Sequence, residues 1–257
     1  MTEKLKKDVE STIAECLRSK FRKYEPKNNY MPFQYRLLGR DRLALYSFIH
    51  SLNTTFGTSI FEPAAVALAK DRFVFSACQH TVGSEVFSDC GNAINQIMND
   101  LEISRRKPDR TDELSILRKS LTGTKNKCKP TKADLFLIDK NGAQWIFDMK
   151  SPKPNIGEFK GFKRTLLTWS AVAMTDNPVI DVHAFIAVTY NPNYPEPYQS
   201  WQMRGMLELD EILVEKEFWD FLGGEGAYEE LLDCFECVGI DMRDEIDEYF
   251  KNFKQNT

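Results

Sequence analysis

Residues 132–155, Lys-Ala-Asp-Leu-Phe-Leu-Ile-Asp-Lys-Asn-Gly-Ala-Gln-Trp-Ile-Phe-Asp-Met-Lys-Ser-Pro-Lys-Pro-Asn, constrain the fold more than any other part of the chain. Two short apolar runs, 135–138 and 145–147, are β-prone. Asp139-Lys140-Asn141-Gly142 between them is turn chemistry, with Asp at the first position and Gly at the fourth. The run therefore reads as a hairpin. Three polar residues stand out against its apolar strands: Asp134, Asp148 and Lys150.

Register decides whether these three meet. A two-residue Asn141-Gly142 loop would put Asp134 opposite Met149 and send Asp148 to the other side of the sheet. A three-residue loop of Lys140, Asn141 and Gly142 pairs Asp139 with Ala143, and Asp134 then falls opposite Asp148. Gly142 suits the left-handed bulge position of that loop. Lys150, two residues beyond Asp148, shares its face. The expectation is the longer loop, with two carboxylates and an ammonium gathered at the open end of the hairpin.

Adjacent carboxylates repel unless a cation lies between them. An all-oxygen donor set suits a hard ion such as magnesium, which keeps waters and accepts phosphate oxygens. A lysine beside it can hold an attacking water and offset charge on a phosphate. Metal-assisted phosphodiester hydrolysis needs these parts. The plainer alternative is an Asp-x-Lys tripeptide of the kind that is common by chance.

The arrangement resembles the PD-(D/E)xK nuclease core, with Asp134 as the first acid and Asp148-Met149-Lys150 as the second motif; Ala133 replaces the proline of that pattern. More closely, the chain resembles the TdeIII family of type II restriction endonucleases. The likeness includes Tyr190-Asn191-Pro192-Asn193-Tyr194, Trp201-Gln202-Met203-Arg204-Gly205-Met206 and Glu217-Phe218-Trp219-Asp220-Phe221-Leu222-Gly223-Gly224, and runs from about residue 56 onward. It implies double-strand cleavage within the palindrome GGNCC, leaving 5′-phosphates. Asp134, Asp148 and the backbone carbonyl of Met149 would bind Mg2+, and Lys150 would orient the water. A glutamate on a preceding helix often joins that shell. Glu62 is the candidate and Glu85 its rival, although Glu62 could equally just favour the start of a helix beside Pro63. A palindromic target implies a two-fold homodimer on double-stranded DNA. A cognate DNA methyltransferase in the same prokaryotic system is expected as well.

Composition sets the remaining bounds. A net charge of -4 argues against a chain basic all over, so any DNA surface must come from local clusters. One lies at residues 104–132, with ten Lys and Arg, among them Lys132. Another follows the hairpin and holds Lys153, Asn155, Lys160, Lys163 and Arg164; Arg204 lies further on, beside aromatic residues. These are the expected DNA contacts, against the alternative of a solvated linker and surface. No apolar run is long enough to span a membrane. The first residues lack the apolar core of a signal peptide, so a cytoplasmic protein is expected. Six scattered cysteines suit reduced thiols. His50, His80 and His183 show no ligand spacing.

Helical patterns cover residues 3–24, 35–52, 84–102 and 159–174, with two or three more across 217–254, and a strand is expected within 178–190. Together they predict an α/β restriction-endonuclease-like core, a central mixed sheet flanked by helices. The chain is expected to be one endonuclease domain, with a helical part at about 1–55, a catalytic core at about 56–190 and a helical part at about 207–254. Two readings compete with restriction: a repair or recombination nuclease on the same fold, and a non-catalytic DNA-binding module whose acids are structural.

Overall fold

The hairpin forms with the longer loop. In the computed structural model, which describes residues 1–23, 31–129, 132–150, 152, 159–198 and 205–255, strand β4 (Lys132–Ile138) runs antiparallel to β5 (Gln144–Lys150). Leu135 pairs with Phe147 and Ile138 with Gln144. Asp139 governs the turn. Its carbonyl accepts the Gly142 N–H at 3.0 Å, and its Oδ1 accepts the N–H groups of Asn141 and Ala143 at 2.8 and 3.0 Å. Gly142 takes φ +86°, a value that glycine adopts without a Cβ clash.

Three more strands complete the sheet: β1 (Phe75–Thr81), β6 (Val182–Val188) and β7 (Ile212–Val214). The order is β1-β4-β5-β6-β7. β1 is antiparallel to β4, whereas β5, β6 and β7 are mutually parallel. A parallel neighbour requires a crossover, and helix α7 (Phe159–Asp176) lies between β5 and β6 in the chain. The sheet is thus mixed, as expected.

Its two faces follow from strand alternation. Phe136, Ile146, Ala184, Ile186 and Val188 point to one face and join a core with α7, α5 (Ser88–Glu102) and α6 (Arg110–Lys119). Leu135, Leu137, Trp145, Phe147 and Phe185 point to the other. There Phe147 meets Phe218 edge-on at 5.5 Å and Trp145 lies 4.9 Å from Phe221, both on α8 (Lys216–Gly223). Each fully buried apolar side chain contributes roughly 1.5–3 kcal/mol. Ile146 and Phe147 are both wholly buried, so the strand carrying Asp148 and Lys150 is anchored on both faces. A small second sheet pairs β2 (Glu85–Phe87) with β3 (Lys125–Lys127). The helical pattern of residues 84–102 therefore begins with a short strand, and the basic stretch 104–132 contains a helix and a strand.

The chain divides into two compact units, 69–226 and a helical one made of 1–68 with 227–257. The first and last helical parts thus share one unit, while α8 belongs to the sheet unit. In the helical unit, α1 (Glu3–Lys23) buries Leu5, Val9 and Ile13 and packs on α9 (Ala227–Asp241). The helical pattern of residues 35–52 becomes α2 (Pro32–Leu38) and α3 (Arg40–Phe56), parted at Gly39, whose φ is +79°. A π-helical turn, Gly57–Phe61, leads into α4 (Glu62–Ala69), and α10 (Arg243–Gln255) follows α9. Among the described residues, no helix is long and apolar enough to cross a membrane.

Candidate active site

The observed register, continued by one pair, sets Asp134 opposite Asp148. Both then point to the face carrying α7, and Lys150 follows them. The Lys150 ammonium lies 2.5 Å from Asp148 Oδ1 and 4.9 Å from the centre of the Phe162 ring on α7. A cation over an aromatic face is held there electrostatically. The ring, 6 % exposed, therefore fixes the position of Lys150 as well as filling the core.

Asp134 is held at both oxygens. The Met149 backbone N–H donates to Oδ2 at 2.8 Å, and the Gln79 Nε2 donates to Oδ1 at 3.1 Å. An ionised carboxylate offers about four acceptor sites, so these two bonds do not exhaust it. Asp148 is 8 % exposed. Burial pushes its carboxyl up to about 6; Lys150 opposes that rise, and Asp134 adds to it. A buried acid beside a second acid, with one ammonium on the first, is short of positive charge. That deficit, and the all-oxygen chemistry of the donors, fit a hard divalent cation held by Asp134, Asp148 and the Met149 carbonyl. Among the described residues, no cluster of three or more His, Cys, Asp or Glu side chains is suited to a metal. Any ion at the hairpin would therefore draw much of its shell from waters and a phosphate.

Gln79 was not among the expected site residues. It lies in β1, between Cys78, which pairs with Leu135, and His80, which pairs with Ala133. Its backbone takes φ +52°. The left-handed region costs a non-glycine residue roughly 1–2 kcal/mol. No local sequence signal marks it, because its partner is 55 residues away.

The other expected residues lie in varied surroundings. Lys163 does not face solvent. It is wholly buried, with its ammonium 2.7 and 2.9 Å from the two oxygens of Glu211 and in contact with Glu113. Glu113 and Glu211 are themselves 1 % and 3 % exposed. A side chain so enclosed is not available to a phosphate, and the expectation that Lys163 contacts DNA is corrected accordingly. Its place on α7 turns inward because Phe162, Leu166 and Leu167 on the same helix enter the core. Lys132 is exposed. Lys160 pairs with Glu102 at 3.0 Å, and Arg164 donates to Asn95 at 2.8 Å; both remain at the surface. Lys153, Asn155 and Arg204 lie outside the described residues. In the basic stretch, Arg106 pairs with Asp112, Arg110 lies 2.7 Å from His183 Nδ1, and Arg118 donates to the carbonyls of Pro178 and Ile180. Those three arginines tie the fold together, whereas Lys107, Lys119, Lys127 and Lys129 are exposed. Glu85 sits on the small sheet opposite Lys127. Glu62 opens α4 in the helical unit and is 1 % exposed.

A carboxylate pair with an adjoining lysine thus lies at the end of a hairpin in a mixed sheet. Comparison with known proteins gives the family. The model of the family described as type II restriction endonuclease, HinfI, matches residues 1–239. The chain belongs to this family and is a type II restriction endonuclease, a site-specific deoxyribonuclease. It is similar to the type II restriction enzyme HgiCII of Herpetosiphon aurantiacus, 27% identical over 221 residues that cover 84% of this chain and 80% of the relative. It is also similar to MjaII of Methanocaldococcus jannaschii, 28% identical over 221 residues, covering 80% of this chain and 58% of that protein. A second Herpetosiphon aurantiacus enzyme, HgiEI, is 26% identical over 84% of this chain and 79% of its own length. The family match begins at residue 1, so it takes in the N-terminal helices that the TdeIII likeness left out.

Proposed function

We propose that this endonuclease is of the PD-(D/E)xK type and cuts both strands of duplex DNA with magnesium held by Asp134, Asp148 and the Met149 carbonyl. One observation carries the reading: Asp134 and Asp148 lie side by side on paired strands, with the Lys150 ammonium 2.5 Å from Asp148. When bound, the ion would polarise the scissile phosphate and acidify a water. The protein's own groups do the positioning. The Met149 N–H and Gln79 hold Asp134 at the pair. Phe162 and Asp148 hold Lys150, which orients the attacking water and offsets charge on the phosphate. Attack in line forms a new P–O bond and breaks the bond to the 3′ oxygen, leaving a 5′-phosphate and a 3′-hydroxyl.

The target is proposed to be GGNCC, on the likeness of residues 190–194, 201–206 and 217–224 to TdeIII enzymes. A palindrome is cut by two copies related by a two-fold axis, each taking one strand. The chain is read as a single endonuclease, active as a cytoplasmic homodimer and paired in its host with a methyltransferase that protects the same sequence. Lys132, Lys160 and Arg164 are the described basic residues assigned to the DNA backbone. Lys153, Asn155 and Arg204 are assigned to it from sequence.

The test is a digest of plasmid of known sequence with magnesium, wild type beside Asp148→Ala. Discrete fragments ending at GGNCC with wild type, and a loss of at least about 1,000-fold in the variant, are expected, since the variant loses a ligand to the charge-stabilising ion. Discrete fragments ending elsewhere would discard the specificity and keep the mechanism. An Asp148→Ala enzyme that still cuts at the wild-type rate would overturn the site.

A further inference from the structure

We infer that Gln79 is a positioning residue of the cleavage reaction, holding the Asp134 carboxylate in the orientation that receives magnesium. The inference rests on the metal site proposed above and adds to it a residue from a third strand. Two independent observations support it. The Gln79 carboxamide donates to Asp134 Oδ1 at 3.1 Å, while the Met149 N–H holds Oδ2 at 2.8 Å. Within the same strand, Gln79 itself adopts φ +52°, a conformation that L side chains rarely take. Its neighbours Cys78 and His80 remain paired with Leu135 and Ala133, so the distortion is confined to the position facing Asp134. Backbone strain that persists in an otherwise regular strand is held by its surroundings, and such strain concentrates at functional sites.

The chemistry suits the role. A carboxamide N–H is a neutral donor. It restrains a carboxylate without cancelling the charge that attracts a cation, as a lysine at the same place would. With one oxygen fixed from β1 and the other from β5, Asp134 cannot rotate away from Asp148. Electrostatic preorganisation of this kind lowers the cost of binding an ion, because the ligand no longer has to be ordered first.

Gln79→Gly separates the role from simple packing. Glycine relieves the left-handed strain, so the melting temperature in EDTA should stay the same or rise. The magnesium needed for half-maximal cleavage should rise about tenfold, as should the concentration giving half of the magnesium-induced rise in melting temperature. Cleavage at saturating magnesium should fall much less. Gln79→Asn tolerates the same backbone and keeps a carboxamide, so it should lie between the two; it also carries the comparison if the glycine variant fails to fold. A magnesium midpoint within twofold of wild type in both variants, with wild type responding to magnesium, would overturn the assignment of Gln79 alone. A wild type whose melting temperature and cleavage ignore magnesium would overturn the metal site and Gln79 with it.

Discussion

Two places in the sheet unit hold the same three groups, two carboxylates and one lysine, and put them to different uses. At the hairpin end are Asp134, Asp148 and Lys150. Under α7 are Glu113, Glu211 and Lys163. The second set is closed: its side chains are 1 %, 3 % and 0 % exposed, and the lysine touches both acids. It ties α6 and α7 to the turn Leu209–Glu211, where Glu208 and Glu211 also cap each other's backbone. The first set is open. The Lys150 side chain is 28 % exposed, its ammonium lies on Asp148, and the oxygens of Asp134 keep acceptor capacity. The difference lies in what each acid can still bind. Enclosed acids satisfied by a lysine hold a fold together, while acids side by side at a strand end, one buried and one reachable, are short of a cation.

Breaking the closed set should have the largest effect on stability. Lys163→Met leaves two buried carboxylates without their cation and should cost about 3–5 kcal/mol. Burial already raises the Glu113 carboxyl, so one acid can take up a proton in response. Urea unfolding would read the loss, and cleavage per folded molecule should be close to wild type. A Lys163→Met enzyme as stable as wild type would remove the structural role assigned to the cluster.

The open set should show the opposite sign in a smaller effect. Burial first, and Asp134 second, lift the Asp148 carboxyl from an ordinary 3.8 to about 6. The folded protein therefore keeps a proton that the unfolded chain has released. The stability this adds is fully present below pH 3.8 and is lost as pH rises to about 6. Asp148→Asn mimics the protonated form. In EDTA at pH 8 it should be more stable than wild type by on the order of 1–3 kcal/mol, and most of that gap should vanish at pH 4.5. Thermal melts at the two pH values decide it; a gap that does not change with pH would mean that Asp148 is not strained by its charge.

The smallest effect should come from the surface. Lys132→Ala or Lys160→Ala should leave stability nearly unchanged and weaken DNA binding mildly, lowering the slope of log K against log salt by about 1 for each phosphate that is no longer neutralised. Lys163→Met should not change that slope. A salt titration in which it does would return Lys163 to the DNA surface and blur the contrast between the two clusters.

How much of this could be read in the sequence follows from the range of each interaction. The hairpin, its three-residue loop and the pairing of Asp134 with Asp148 were legible, because turn chemistry and strand alternation act over a few residues and Asp139 organises its own turn. The mixed sheet and most helices followed from periodicity. The burial of Lys163 was not legible. Lys160, Lys163 and Arg164 look alike in sequence, yet only Lys163 meets two acids, one of them 48 residues away. Gln79 was hidden for the same reason.

The amino-acid sequence by itself determined the chemistry available: which acids sit at a strand end, which lysine follows them, and the turn that makes them face one another. These depend on local stereochemistry, which neighbouring residues fix between them. The tertiary structure alone decided which charges are enclosed and which stay open to a ligand. Burial and charge pairing are properties of surfaces brought together from distant parts of the chain. That is why Lys163 became a buried tie and Lys150 remained at the open end of the hairpin.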